Sequence, residues 1–248
     1  MKKSLIYIFI LILSSSIFAQ NNTFLKAIKK HYYAQHFGIR TGVNLSNTLF
    51  RNYYDTFSFD YKWKPGYNFG LSFEFPTKDI KLIGWLGWIE TGVFLSSKGY
   101  RINEKNLDDV YKRRLNLTYL DIPLLAKVKF EVEASYIFLT FGPYLGIGLD
   151  GKYRYEEIKN GLSEKSSADI IWGNDGEIAD FKKYDYGLIM GTGIEFEYFQ
   201  IAFNYNLGTA NISPNENIVN SSQAFNTRIN NRVFNLSFTY KLGKRLRY

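Results

Sequence analysis

Beyond residue 36 the chain repeats one pattern: apolar and polar residues alternate with a period of two. That is the mark of strands with one apolar and one polar face. The last segment is the clearest. Phe234, Leu236, Phe238, Tyr240 and Leu242 fall on one face, and Asn235, Ser237, Thr239 and Lys241 on the other. Seven earlier segments repeat it. Phe37 to Leu45 alternates with Arg40, Asn44 and Ser46, and Phe69 to Phe75 with Asn68, Ser72 and Glu74. Trp85, Ile89, Val93 and Leu95 stand opposite Glu90, Ser96 and Lys98, and Leu120 to Phe130 opposite Tyr119, Asp121, Lys127 and Lys129. Ile137 to Leu149 is set against Thr140, Gly142, Tyr144, Gly146 and Gly148. Leu188 to Tyr198 is set against small residues, Glu195 and Glu197, and Phe199 to Leu207 against Gln200, Ala202, Asn204 and Asn206.

Each of these eight segments is long enough to cross a bilayer at a tilt of about 45°. Their connections alternate in length: long at 47–65, 99–114, 151–183 and 209–231, and short at 77–83, 131–135 and Tyr198–Phe199. Long loops on one side and short turns on the other predict an all-β fold: a closed eight-stranded antiparallel up-and-down transmembrane β-barrel. A soluble eight-stranded barrel would bury the apolar face instead. Two features favour the membrane. The polar face is rich in Gly, Asn, Ser and Thr with isolated charges of both signs. The apolar face carries Trp85, Phe130, Tyr198, Phe199 and Tyr240 toward the strand ends, as interface girdles do.

The predicted interior holds Arg40, Glu74, Glu90, Lys98, Asp121, Lys127, Lys129, Glu195 and Glu197. Charges inside a packed barrel must pair or be hydrated, so these nine are expected to form a salt-bridge network that fixes register. A gate or ion path is the functional alternative. Eight strands leave an interior that side chains just fill, which argues against an open pore.

Six segments together resemble the PorT-type outer-membrane β-barrel family. They are Gly38 to Ser46 (GIRTGVNLS), Glu90 to Gly99 (ETGVFLSSKG), Tyr119 to Lys127 (YLDIPLLAK), Phe141 to Tyr153 (FGPYLGIGLDGKY), Tyr184 to Phe196 (YDYGLIMGTGIEF) and Phe234 to Gly243 (FNLSFTYKLG). The resemblance spans 37–243 and implies an eight-stranded barrel in the bacterial outer membrane. It brings no catalytic motif. The family takes its name from a member needed for type IX secretion, and the resemblance implies an envelope role of that general kind.

The start of the chain adds a compartment. Lys2 and Lys3, an apolar run from Leu5 to Leu13, and Ser14 to Ser16 read as a signal peptide over 1–19, cleaved near Ala19. Residues 20–36 then form a periplasmic segment with a short amphipathic helix at 24–33, 37–243 form the barrel, and 244–248 are a basic tail. Both basic ends either meet anionic headgroups or simply keep the termini soluble.

Composition narrows the chemistry. There is no Cys, and the two His, His31 and His36, precede the first strand. Thiolate chemistry is excluded, and a His-based site at the outer rim does not fit the topology. The net charge of +8 is dispersed apart from the ends, which does not suit a nucleic-acid binder. Asn174, Asp175, Gly176, Glu177 and Asp180 suggest calcium, but their spacing does not fit a calcium loop, and no metal or cofactor is expected. The first long loop carries Tyr53, Tyr54, Phe57, Tyr61 and Trp63. They form a candidate contact surface for a glycan or partner protein, with loop packing and membrane anchoring as the alternative. The sequence therefore points to a non-enzymatic outer-membrane protein. Its partners would be outer-membrane lipid and envelope or secretion proteins, and a gated conduit for small solutes is the alternative.

Overall fold

The computed structural model describes residues 35–52, 62–77, 86–106, 109–132, 135–159, 162–175, 178–214, 218–220, 223–225 and 227–242. The expectations for the leader, the N-terminal segment and the basic tail lie outside these residues. The described residues belong to one compact unit, Gln35–Tyr248.

Twelve strands occur among the described residues: β1 (His36–Asn52), β2 (Lys64–Pro76), β3 (Leu86–Lys98), β4 (Arg101–Asn106), β5 (Asp109–Val132), β6 (Ser135–Lys159), β7 (Leu162–Asp169), β8 (Tyr184–Glu195), β9 (Phe199–Gly208), β10 (Ile218–Asn220), β11 (Gln223–Phe225) and β12 (Thr227–Leu242). Eight of them close a ring in the order β1–β2–β3–β5–β6–β8–β9–β12, all antiparallel, and β12 pairs back on β1 from Phe37↔Leu242 to Asn52↔Thr227. Each ring strand neighbours the next ring strand along the chain, so the barrel is an up-and-down meander. Closure leaves no free edge in the ring, as spanning a bilayer demands.

Burial is inverted relative to a soluble barrel. The apolar side chains Val43, Leu124 and Phe141 are 62%, 56% and 55% exposed, whereas Lys98 and Lys127 are 0% exposed. Only a hydrocarbon solvent makes that arrangement favourable, because the polar face then lines the bore. The aromatic side chains Tyr198, Phe199 and Tyr240 are exposed at the end holding His36 and Leu242. Tyr67, Tyr184 and Tyr186 are exposed toward the other end.

The barrel is taller on one side than the alternation suggested. β5 and β6 run for 24 and 25 residues. Beyond the ring, β4 pairs with β5 and β7 pairs with β6, giving a four-stranded sheet β4–β5–β6–β7 that projects past the long-loop end. Parts of the segments 99–114 and 151–183, expected as loops, are therefore paired strand. Gly99, at φ 122°, permits the bend between β3 and β4; a Cβ there would lie 2.3 Å from the Leu115 carbonyl oxygen. A register shift between Thr118 and Tyr119 leaves Leu149 without an opposite residue. This bulge reverses the alternation of β6, so that Gly151, Tyr153 and Tyr155 take over the inner face from Tyr144, Gly146 and Gly148.

Candidate functional site

Buried side chains occupy the bore in three layers. At the short-turn end lies an ionic cluster whose charges come from six ring strands. Lys127 on β5 sits at its centre, with its Nζ 2.5 Å from Glu74, 3.1 Å from Glu90 and 3.4 Å from Glu195, and it donates to Gln200 Oε1 at 2.8 Å. Lys129 bridges Glu74 and Glu195 at 2.8 and 2.9 Å, and Lys241 on β12 reaches Glu195 at 2.5 Å. Arg40 donates to Glu90 at 2.6 Å and to Thr239 Oγ1 at 2.9 Å. Aromatic rings back these cations: Phe94 behind Arg40 at 5.1 Å, Phe138 behind Lys127 at 4.0 Å and Trp88 behind Lys129 at 4.0 Å. Desolvated ring faces add attraction to cations that have left water.

The middle layer begins with a belt of neutral side chains. Asn44 donates to Ser96 Oγ at 3.0 Å, Asn235 to Asn44 at 2.9 Å, Asn204 to Asn235 at 3.5 Å, and Thr140 to Asn204 at 3.4 Å. This chain crosses the bore from β3 to β6. Next to it Lys98 lies between Asp121 and Asp185, at 2.8 and 3.0 Å, with the Tyr119 and Tyr144 rings at 4.7 and 4.6 Å. Asn231 and Tyr144 donate to the same Asp185 oxygen at 3.0 and 3.2 Å.

An apolar cap closes the long-loop end. Tyr100, Ile102, Leu115, Leu117, Tyr119 and Ile212 are among its buried members, and Phe50, Tyr153 and Trp172 pack against it. Backbone hydrogen bonds pin the connecting segments in place: Ile170 N to Gly151 O at 2.9 Å, Lys182 N to Ile212 O at 2.8 Å and Ile212 N to Ile229 O at 2.9 Å. Gly148 is the seat of the Trp172 ring, since a Cβ there would meet it at 2.6 Å.

Eight of the nine residues read from the sequence as interior sit in these layers: Arg40, Glu74, Glu90, Lys98, Asp121, Lys127, Lys129 and Glu195. Glu197 does not. It is exposed in the turn between β8 and β9, where Phe196 N bonds Phe199 O and strand alternation has ended. Three buried charges were missed, Lys64, Asp185 and Lys241. Asp185 shares the parity of Glu195 and Lys241 that of Thr239, so for these two the signal was present; Lys64 falls in the segment 47–65 that was expected as loop and opens β2 instead. With them the buried charges among the described residues are six cations, Arg40, Lys64, Lys98, Lys127, Lys129 and Lys241, against five carboxylates, Glu74, Glu90, Asp121, Asp185 and Glu195. Each of these carboxylates is engaged by at least one cation.

Of the aromatic loop surface, Tyr53, Tyr54, Phe57 and Tyr61 lie outside the described residues. Trp63 packs on Phe234 at 5.1 Å. In the calcium-like stretch, Asp180 accepts from the Ile171 amide at 2.9 Å, and among the described residues no cluster of His, Asp and Glu could hold a metal ion. In the projecting sheet, Lys112 donates to Glu156 at 3.2 Å, and this hydrogen bond holds the exposed Glu156 carboxyl below its ordinary value.

Three solved structures are similar to this chain. The attachment invasion locus protein Ail of Yersinia pestis is similar at 14% identity, covering 85% of this chain and 99% of its own, with a TM-score of 0.32. The outer membrane protein OprG of Pseudomonas aeruginosa is similar at 13% identity, over 87% of this chain and 99% of its own, with a TM-score of 0.40. Neisserial surface protein A is similar at 11% identity, over 83% and 97%, with a TM-score of 0.33. No curated protein sequence matches the chain. A family model described as outer membrane protein beta-barrel domain matches residues 18–213, well over half the chain. The chain therefore belongs to the outer membrane protein beta-barrel family.

Proposed function

We propose that this outer-membrane protein is non-enzymatic and works through its external surface, as a structural or interaction protein of the envelope. The observation that carries this reading is the filled bore. An ion-pair cluster, an amide belt and an apolar cap occupy it in series, and the cap closes the end that faces out of the cell in barrels with long external loops. A solute would have to break buried ion pairs, each costing about 3–5 kcal/mol when one partner is left alone. That argues against a gated conduit. The sheet β4–β5–β6–β7 instead supplies a surface raised above the membrane, with β7 exposed along its whole length.

The narrower reading is a PorT-type accessory to type IX secretion. It rests on the ordered segments from Gly38 to Gly243. The experiment is a clean deletion followed by quantitative proteomics of the culture medium and cell surface. Loss of a defined set of exported proteins, restored by complementation, supports the secretion role. An unchanged set removes it and leaves a general envelope protein.

A further inference from the structure

The projecting sheet carries arginines in direct cross-strand register. Arg101 on β4 faces Arg114 on β5, and Arg114 faces Arg154 on β6. Lys62 pairs with Arg101 on the other side. Leu115 and Tyr153 of the same strands belong to the apolar cap, so alternation puts Arg114 and Arg154 on the opposite, outward face. Lys64 joins them. Its Nζ is 3.0 Å from Asn116 Oδ1, two residues from Arg114, and Arg114 and Arg154 repel it electrostatically.

Like charges directly opposite in a sheet destabilise it, and among the described residues no acid relieves this row. On the same face Glu156 is taken by Lys112 and Lys165, at 3.2 and 3.6 Å, and Asp169 by Lys152 at 3.2 Å. Asp150, opposite Thr118, lies two rows lower. Among the described residues no carboxylate pairs with Lys64, Arg101, Arg114 or Arg154, and Arg101 Nε is buried without a hydrogen-bond partner.

The height of the row identifies what compensates it. Leu149, 50% exposed, ends the lipid-facing run of β6. Lys152 and Arg154 follow three and five residues later. At about 3.3 Å per residue and a tilt of about 45°, they stand roughly 7–12 Å above the hydrocarbon, in the headgroup layer. Guanidinium forks match phosphate oxygens in charge and geometry. We propose that Arg101, Arg114 and Arg154, with the buried Lys64 adding positive charge from beneath, form a binding site for the phosphorylated headgroup of an outer-leaflet lipid. A lipid, not a soluble anion, is the ligand because the lipid-facing belt continues directly below the row on the same face of β5 and β6.

The test uses the full chain folded in detergent micelles and native mass spectrometry. The probes are lipid A bearing its phosphates, the same lipid A with its phosphates removed, and inorganic pyrophosphate. The unaltered protein should retain the phosphorylated lipid about tenfold better than the stripped one, the effect of about one charge-assisted hydrogen bond. Arg114→Ser with Arg154→Ser should lose that preference while Lys165→Ser keeps it. Heat-dependent gel mobility should show the double variant folded, since repulsion has been removed. Equal retention of the two lipids by the unaltered chain overturns the proposal whatever the variants do. So does an unchanged preference in a folded double variant, or pyrophosphate binding as tightly as the phosphorylated lipid.

Discussion

Glu74 and Glu90 face each other in register across the β2–β3 ladder, both buried inside the barrel. Two opposed carboxylates destabilise a sheet, and in a low-dielectric bore the effect is stronger. Lys127 relieves it by reaching both, from a strand that pairs with β3 and not with β2. Lys127→Met should therefore cost about 3–5 kcal/mol, the range for removing one partner of a buried pair. Urea titration of the folded band on gels in detergent checks it. Adding Glu90→Gln to that variant should recover part of the loss; a double variant no better than the single one refutes the account of the pair.

Glu197 offers the opposite expectation. It is exposed in the β8–β9 turn, so Glu197→Gln should change stability by less than about 1 kcal/mol, as surface charges do. The same titration measures it, and a loss comparable to that of Lys127→Met would return Glu197 to the bore.

The lipid-facing surface can be tested at Leu124, 56% exposed near the middle of the apolar run of β5. An arginine there meets hydrocarbon, and Leu124→Arg should cost about 2–4 kcal/mol when folding into bilayers is measured. A neutral effect would mean that this face meets water.

The even strand count and the long outer connections set which end faces out. The chain has no Cys, so single introduced thiols report cleanly. Ser167→Cys on exposed β7 should react in intact cells with a membrane-impermeant maleimide. Glu197→Cys should react only after the outer membrane is opened. Reversed reactivity would invert the topology.

Much of this architecture was legible in the sequence because a two-sided solvent writes a two-residue period. Lipid demands Phe238 and Leu236, the bore demands Ser237 and Thr239, and eight such segments imply closure. The charged interior followed from the same parity, which reached Glu195 on β8 but fails at Glu197, where the strand has already ended. The projecting sheet was hidden because its two faces do not follow the lipid-and-bore contrast. Arg113 and Arg114 are both exposed, so strand looks like loop. The bulge at Leu149 is a matter of pairing between two strands and leaves no periodic trace. The apolar cap gathers residues from segments as distant as Ile102, Ile170 and Ile229, a proximity that only the closed ring creates.

The central claim is that the bore is filled and the protein acts at its outer surface, and single-channel recording of the purified chain in planar bilayers tests it most directly. The account predicts a baseline indistinguishable from the protein-free membrane across moderate voltages. Discrete, reproducible conductance steps from the unaltered protein would contradict it.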